Sequence, residues 1–283
     1  VKVTPSSSHF CKDWGLIDQW EGSHEGTRRY TKWVIQKPGD WEKLPILEPD
    51  APYLAELLSG LRFIRADLDL ETPMLQTIFS PLAQAAYLVG KENIVTHIRK
   101  YPEAVLKGLE TITETSKRFI EALVFDKNIS PDGIFYSVQQ AQAGLLTTEE
   151  YDRFGLPFDK RSIEPAGDLW CNLLHLHGQD LYFNNIIDES GLGSYFPIIN
   201  WHDRDTPPTL EKARMQSKHV FCGGLSRQTM NLGTPEDIKK EAKEAFAQTE
   251  GDRFILGTGC VVPITAPHGN LIAAKDFVAS TKK

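Results

Sequence analysis

The sequence predicts an α/β fold in which helices cover a parallel β-sheet, and two patterns lead to this prediction. Short runs typical of β-strands alternate with longer segments of helical period, as in strand–helix–strand units. Most of the strand runs are apolar on both faces, as strands covered by helices must be. With 283 residues, 41% of them hydrophobic, the chain is long enough to form an α/β barrel as one domain over residues 1–283.

Seven candidate strands follow one another along the chain, one fewer than the eight of a (β/α)8 TIM barrel. The chain opens directly in the first of them, without the helix and first strand that usually lead into such a barrel. We therefore expect that an amino-terminal segment carrying the first strand is missing. The predicted strands cover residues 1–5, 74–79, 133–138, 172–175, 196–200, 219–222 and 254–256.

Local patterns predict the helices and the longest connection. Thr234 supplies an N-cap hydroxyl, Pro235 suits the first turn, and two acidic residues follow at the positive end of the helix dipole. Residues 101–124 carry apolar side chains at helical spacing, which predicts a long helix outside the sheet. Residues 6–50 are rich in Ser, Trp, Gly and Pro with little periodicity, so we expect them to cover the barrel mouth.

Composition and charge exclude several classes of partner. The net charge of −7 leaves no basic surface to attract nucleic acid or an anionic membrane. No apolar stretch approaches the roughly 18 to 20 residues of a membrane-spanning helix, and the start of the chain lacks the order of a signal peptide. We therefore expect a cytoplasmic protein. Its widely spaced cysteines suit free thiols or a metal ligand better than a disulfide framework.

Two histidines at the end of a predicted strand suggest a metal site. His175 and His177 lie on the same face of an extended strand, where neutral imidazoles are able to grip one ion. Cys260 follows the last predicted strand and supplies a third ligand, which leaves a tetrahedral zinc position open. The alternatives are one hydrogen-bonded and one solvated histidine, and a cysteine that is simply buried. Cys222 competes as a thiol ligand, although the two glycines after it favour a tight turn or backbone space for a ligand.

Other strand ends carry polar side chains as well. Residues 200–204 gather an amide, an indole, an imidazole, a carboxylate and a guanidinium, which suggests ligand binding. The last two of these residues are equally able to pair with each other or to cap the next helix. Tyr136, Ser137 and Gln139 are able to reach the mouth, but alternation along the strand leaves core or helix-facing positions open for Tyr136 or Ser137.

Four segments together resemble the uroporphyrinogen decarboxylase superfamily, in an order and spacing that cover nearly the whole chain. They are FSPLAQAAYLVG at residues 79–90, DGIFY at residues 132–136, GG at residues 223–224 and ILGTGC at residues 255–260. The resemblance implies a TIM barrel. It also implies one of two activities: cofactor-free decarboxylation of a porphyrinogen, or zinc-dependent methyl transfer between a corrinoid and a thiol.

The decarboxylase branch fits the chain in part. Tyr87 resembles the substrate-contacting tyrosine of its Pro-x-x-x-x-x-Tyr segment, and Ser137 resembles the serine after its fourth strand. Its Arg-Gln-Ala-Gly-Arg segment, which holds substrate carboxylates, is absent, and truncation would explain that absence. Truncation does not explain why residues 175–178, His-Leu-His-Gly, replace a Lys-Gly sequence, or why Cys260 stands where that branch has a histidine.

The methyltransferase branch uses a His-x-Cys pair and a later Cys as zinc ligands, and His175, His177 and Cys260 are similar apart from one Cys-to-His exchange. Histidine is a competent zinc ligand, but one thiolate instead of two donates less electron density to a bound thiol. The resemblance implies that further residues orient the methyl donor or bind substrate. As catalytic residues we expect Tyr136, Gln139 and Asp203, and as substrate-binding residues Tyr87, Ser137, Asn200, His202, Gly223 and Gly224.

We therefore favour a zinc-dependent methyltransferase or demethylase that acts with a corrinoid or a thiol on a small-molecule substrate, with a corrinoid protein as partner. A cofactor-free decarboxylase of uroporphyrinogen or a related carboxylated compound is the first alternative. The second is a non-catalytic barrel that binds a corrinoid or a tetrapyrrole. A homodimer is compatible with the sequence, which does not fix the oligomeric state.

Overall fold

The computed structural model describes residues 1–69 and 71–281, and within them the strands form two sheets. The strands are β1 (Lys2–Val3), β2 (Ile17–Gln19), β3 (Arg29–Lys32), β4 (Leu75–Phe79), β5 (Gly133–Val138), β6 (Leu173–Leu176), β7 (Ile198–Trp201), β8 (Val220–Leu225) and β9 (Phe254–Thr258). The larger sheet is parallel, in the order β1-β4-β5-β6-β7-β8-β9. The smaller sheet is the antiparallel hairpin of β2 and β3.

All seven predicted strands form, and their order in the sheet is their order in the chain. The predicted α/β fold with a parallel sheet is therefore confirmed. The sheet curls, since Lys2 on β1 comes near enough to Cys222 on β8 and to Cys260 after β9 to interact with both thiols. Because β1 and β9 are its two edges, the described residues form a curled, barrel-like sheet of seven strands and not a closed barrel of eight.

Helices connect the strands and cover the outer face of the sheet. They are α1 (Pro52–Asp67), α2 (Pro81–Val89), α3 (Ile94–Lys100), α4 (Pro102–Phe125), α5 (Thr148–Phe154), α6 (Leu156–Ile163), α7 (Phe183–Ile187), α8 (Leu210–Gln216), α9 (Arg227–Leu232), α10 (Pro235–Thr249) and α11 (His268–Thr281). The predicted long helix is α4. The predicted cap begins α10, where the Thr234 hydroxyl accepts from the Asp237 amide at 3.2 Å. In the described part of the chain, no helix combines the length and apolar character needed to cross a membrane.

Side chains of the parallel sheet alternate between two environments. Those on the outer face are buried against the helices, and they include Ile78, Tyr136, Leu174 and Ile199. Those on the inner face form an apolar floor built from Leu75, Phe135, Leu173, Ile198 and Val220. The inside of the curled sheet is thus filled by side chains at its base.

A polar row lies one step above this floor, because the strands share one register. Ser137 on β5 pairs with His175 on β6, His175 pairs with Asn200 on β7, and Asn200 pairs with Cys222 on β8. Residues that follow this row at the carboxyl ends of the strands therefore stand side by side at the mouth.

Part of the segment 6–50 crosses this mouth, as predicted. The connection between β2 and β3, residues 20–28, is called the tongue below. Glu25 in the tongue forms an ion pair with Arg227, which follows β8. The carbonyl of His24 accepts a hydrogen bond from the amide of Ile264, which follows β9, at 2.8 Å. The tongue therefore lies over the ends of the last two strands.

Candidate metal centre

Three histidines and one cysteine meet at the carboxyl ends of three strands. His175 lies on β6 and His177 just after it, His202 follows β7, and Cys260 follows β9. One potential ligand atom from each lies within 4.8 Å of those of the other three. His177 is central, with its Nδ1 3.4 Å from Nε2 of His202 and 3.6 Å from Sγ of Cys260. These four residues, called the metal cluster below, are close enough to share one ion.

His202 joins the three residues that the sequence predicts as metal ligands, although the sequence points to it as a substrate-binding residue. His202 lies two residues beyond Asn200, just as His177 lies two residues beyond His175. Because Asn200 and His175 are paired across β6 and β7, the two later histidines become neighbours. The equal spacing of the two pairs could have pointed to His202 as a ligand, but only with knowledge of the register between β6 and β7.

Asn200 fixes the orientation of His175 and the position of its proton. Its amide nitrogen donates to the backbone carbonyls of Cys222 at 2.7 Å and Thr258 at 3.1 Å. Its amide oxygen therefore faces Nδ1 of His175, 2.6 Å away, and accepts the hydrogen on that nitrogen. The lone pair of His175 is left on Nε2, the nitrogen that is free to bind a metal ion.

Aromatic contacts hold the same imidazole from both faces. Phe135 stacks on His175 with ring centres 5.4 Å apart, and His202 stacks on the other side at 5.9 Å. Nζ of Lys2 lies 4.1 Å from the centre of the Phe135 ring. The hydrogen bond from His175 to Asn200 and the two stacking contacts leave His175 little freedom to rotate.

Burial keeps the three imidazoles neutral. It lowers the pKa of His175 well below its usual value, and the nearby imidazoles of His177 and His202 act in the same direction. Burial lowers the pKa of His177 to about 4, and the neighbouring His202 and Lys91 act in the same direction. Burial also lowers the pKa of His202, although Asp205 opposes this effect. At neutral pH all three rings can therefore offer a nitrogen lone pair.

Cys260 is the one anionic ligand that the metal cluster can provide. Burial raises the pKa of its thiol, while the amide of Val261 and the cations Arg227 and Lys2 act in the opposite direction. A bound metal ion would favour the thiolate strongly. Arg227 also lines a small cleft with Cys260 and His202. A lone arginine after a strand has no sequence pattern that would have identified it.

The two polar residues of β5 lie on opposite faces of the sheet. Ser137 points inward and is buried in the polar row beside His175. Tyr136 points to the helices, where its hydroxyl donates to the carboxylate of Asp159 at 2.8 Å. Tyr136, expected as a catalytic residue, is therefore separated from the metal cluster by the sheet itself, because side chains alternate along a strand.

Gln139 and Tyr87 lie outside the metal cluster. Gln139 follows β5 and is half-buried, and its backbone carbonyl accepts from the side chain of Gln142 at 2.7 Å. Tyr87 on α2 is fully buried, with its ring edge-on to Tyr30 at 5.9 Å. Nζ of Lys91 lies 5.2 Å from the centre of the Tyr87 ring.

Asp203 and two glycines of β8 serve the packing of the strand ends. Asp203 is buried and accepts from the Gly224 amide at 3.0 Å, and its burial raises its pKa to about 6. A Cβ at Gly223 would lie 2.5 Å from a carboxylate oxygen of Asp203, and one at Gly224 would lie 2.4 Å from Ala245. The two glycines, expected to bind substrate, thus make room for Asp203 and for α10.

Comparisons with known proteins agree with the family that the sequence resembles. The family model described as uroporphyrinogen decarboxylase (URO-D) matches residues 22–281. A uroporphyrinogen decarboxylase of Prochlorococcus marinus (strain MIT 9313) is 25% identical over 267 residues, which are 88% of this chain and 70% of that protein. One from Syntrophotalea carbinolica is 26% identical over 149 residues, which are 50% of this chain and 41% of that protein.

A third uroporphyrinogen decarboxylase, from Geobacter sp. (strain M21), is 23% identical over 235 residues, or 80% of this chain and 65% of that protein. The chain thus spans between 41% and 70% of the length of these three relatives. A methyltransferase from Methanosarcina mazei shares the fold, with a TM-score of 0.83 over 100% of this chain and 80% of that one at 18% identity. Since the family model matches most of the chain, the chain belongs to the uroporphyrinogen decarboxylase family.

Proposed function

We propose that this chain binds zinc through the metal cluster and forms the barrel of a methyltransferase or demethylase that acts with a corrinoid or a thiol. One observation carries the proposal: three imidazoles and one thiol present ligand atoms within 4.8 Å of one another. Nitrogen and sulfur ligands in such a set suit zinc, whereas oxygen-rich sites suit magnesium or calcium. Within the described residues, no carboxylate belongs to the cluster.

The surroundings of the cluster fit this ion. Asn200 holds the Nδ1 proton of His175, so Nε2 is ready to coordinate. The lowered pKa values of the imidazoles mean that no proton has to leave them before the ion binds at neutral pH. When bound, zinc lowers the pKa of the thiol or water that it holds and makes it a nucleophile at neutral pH.

We infer that His202 is the exchangeable member of the cluster. A catalytic zinc site keeps one position for substrate beside three protein ligands, so one of the four residues must yield. His175 is bonded to Asn200 at 2.6 Å, whereas the other nitrogen of His202, Nδ1, lies 3.7 Å from the carboxylate of Asp205. His175, His177 and Cys260 would then hold the ion while substrate replaces His202. We assign substrate contacts to Ser137, on the inner face of the sheet.

Metal analysis of the purified protein tests the proposal directly. We expect about one zinc per chain in the wild type, no zinc after His177→Ala, and unchanged zinc after His268→Ala, which removes an exposed histidine outside the cluster. Transfer of the methyl group from methylcobalamin to a thiol, followed by absorbance, then tests the activity. A wild type that neither contains zinc nor takes it up would contradict the proposal.

A cofactor-free decarboxylase is the second candidate, because the curated relatives are named uroporphyrinogen decarboxylases. Such an enzyme would stabilise charge with fixed side chains and needs no ion. Turnover of uroporphyrinogen that persists in the presence of a zinc chelator and in His177→Ala would favour this candidate. Saturable binding of a corrinoid with neither activity would instead favour a binding role.

A further inference from the structure

The tongue is joined to the rest of the mouth by two neighbouring residues. Glu25 forms an ion pair with Arg227, and the carbonyl of His24 accepts from the amide of Ile264 at 2.8 Å. Arg227 is the first residue of α9, just after β8, and Ile264 lies in the segment that follows β9. These contacts connect parts of the chain that are more than 200 residues apart.

The base of the tongue is fixed much more firmly than its tip. At the base, the carboxylate of Asp18 is only 2% exposed, and it accepts from Arg28 at 2.6 Å and lies 3.8 Å from Nζ of Lys12. At the tip, Ser23 bonds to Thr27 within the tongue itself, at 2.7 Å. The tip is thus a small turn that is folded on itself and holds to the body through few contacts.

The tip also has the composition of a segment that can move. Most residues of the tongue are exposed, so lifting the tip would uncover little apolar surface. Gly22 and Gly26 flank the two contacting residues with φ of 76° and 75°, a region that glycine enters and leaves at low cost. The tongue therefore has a fixed base and a lightly held tip between two flexible positions.

The point of attachment lies beside the metal cluster. Arg227 lines the same small cleft as His202 and Cys260. Its side chain is 23% exposed and that of Glu25 is 41% exposed, so water and salt reach the ion pair. While the pair is formed, the carboxylate of Glu25 occupies the guanidinium of Arg227, a side chain that lines this cleft.

We propose that the tongue is a lid over the metal cluster and that the ion pair of Glu25 and Arg227 is its latch. Opening of the latch lifts the tip, breaks the hydrogen bond from Ile264, and admits molecules to Cys260. It also frees the guanidinium of Arg227 for an anionic group of the incoming molecule. The lid controls access whether or not zinc is the ion that the cluster binds.

Hydrogen exchange of the Ile264 amide measures the opening, because the side chain of Ile264 is exposed and its amide is protected through His24. A partly exposed ion pair stabilises the closed lid only slightly, so its loss should raise the population of the open lid by a small factor. We therefore expect Glu25→Gln to speed this exchange about two- to fivefold. Glu21→Gln is the matched control, since Glu21 is 46% exposed and pairs with Arg29 at 2.8 Å next to the tongue's own base. It should leave the exchange unchanged.

Alkylation of Cys260, mapped by peptide mass spectrometry, provides a second readout. Glu25→Gln should accelerate a bulky maleimide more than iodoacetamide, because a change in thiol acidity alone would accelerate both equally. Cys11, which is fully buried, reports any general unfolding in the same samples. Raising the salt concentration should speed the maleimide reaction in the wild type and not in Glu25→Gln, since salt screens the latch.

Equal exchange at Ile264 in the wild type and Glu25→Gln, together with equal maleimide rates, would overturn the proposal. The zinc content of the same samples is measured in parallel. A protein without zinc whose latch behaves as expected would contradict the proposed metal site and leave the lid proposal intact. A protein with zinc whose latch does not respond would contradict the lid and leave the metal site intact.

Discussion

Asn200 accepts the Nδ1 proton of His175 at 2.6 Å while its own amide nitrogen bonds two backbone carbonyls, on β8 and at the end of β9. One side chain thus joins three strands and sets the orientation of a candidate metal ligand. An uncharged amide does this without adding a negative charge beside the cluster. Asn200 is expected from the sequence to bind substrate, and from these hydrogen bonds we infer that it is a positioning residue.

Replacement of Asn200 tests this positioning role. In Asn200→Ala, His175 loses its proton acceptor and can rotate, so we expect zinc affinity to fall about 10- to 100-fold. Two carbonyls also lose their donor, which should lower the free energy of unfolding by about 1–3 kcal/mol. Competition with a chromophoric chelator measures the affinity. Asn128→Ala, at an exposed asparagine, is the control, and an equal effect of both changes would refute the role.

Removal of single residues of the metal cluster should show how much each of them contributes to zinc binding. His202→Ala leaves His175, His177 and Cys260 in place to hold zinc, so it should retain the ion through dialysis. His177→Ala removes the central ligand and should lose the ion under the same conditions. Metal content after dialysis gives the comparison. If His202→Ala loses zinc as completely as His177→Ala, His202 is not the exchangeable residue.

Asp159 should make stability depend on pH. It is fully buried, accepts from Tyr136 and Tyr151, and its burial raises its pKa to about 7. Between its ordinary pKa of about 3.9 and 7, the folded state holds a proton that the unfolded state has lost. Stability contributed by this group is therefore present at low pH and is lost as pH rises through that window, by at most about 4 kcal/mol.

Urea unfolding at a series of pH values between 4 and 8 checks this dependence. Asp159→Asn should remove this dependence, because the amide does not ionise, so the difference in free energy of unfolding between the two proteins should change across the window. A difference between the two proteins that stays constant with pH would show that Asp159 keeps its ordinary pKa.

Tyr136→Phe tests the residue that the sequence presents as catalytic. Its hydroxyl faces Asp159 behind the sheet, so we expect zinc content and turnover to stay within about twofold while the free energy of unfolding falls by about 1–3 kcal/mol. Tyr151→Phe removes the other hydrogen bond to Asp159, of 2.6 Å, and is the matched control. A loss of turnover in Tyr136→Phe that Tyr151→Phe does not share would restore a catalytic role.

The strands and the main helices could be predicted from the sequence because local chemistry determines them. Apolar runs bounded by polar segments identified each strand of the parallel sheet, and the cap at Thr234 identified the start of α10. The hairpin of β2 and β3 was not predicted. Its strands are short and mostly exposed, so they lack the apolar alternation by which strands are recognised.

The sequence predicts those site residues that can be recognised within one strand and the segment after it, and not those that depend on pairing between strands. Both faces of β5 are covered, so the pattern of apolar residues cannot tell whether Tyr136 or Ser137 points inward. His202 entered the cluster through the pairing of Asn200 with His175, which is a relationship between strands. Local sequence identified His175, His177 and Cys260, and the register supplied the fourth residue.

The shared register of the parallel strands has a genetic consequence. A substitution at His177, His202 or Cys260 changes the donor atoms at the mouth and leaves the apolar floor beneath them as it is. An insertion of one residue within β6 or β7 would instead turn every later side chain of that strand to the other face and carry a ligand into the helix layer. Single codon changes can therefore exchange the donor atoms that the mouth offers, whereas the lengths of its strands must stay fixed.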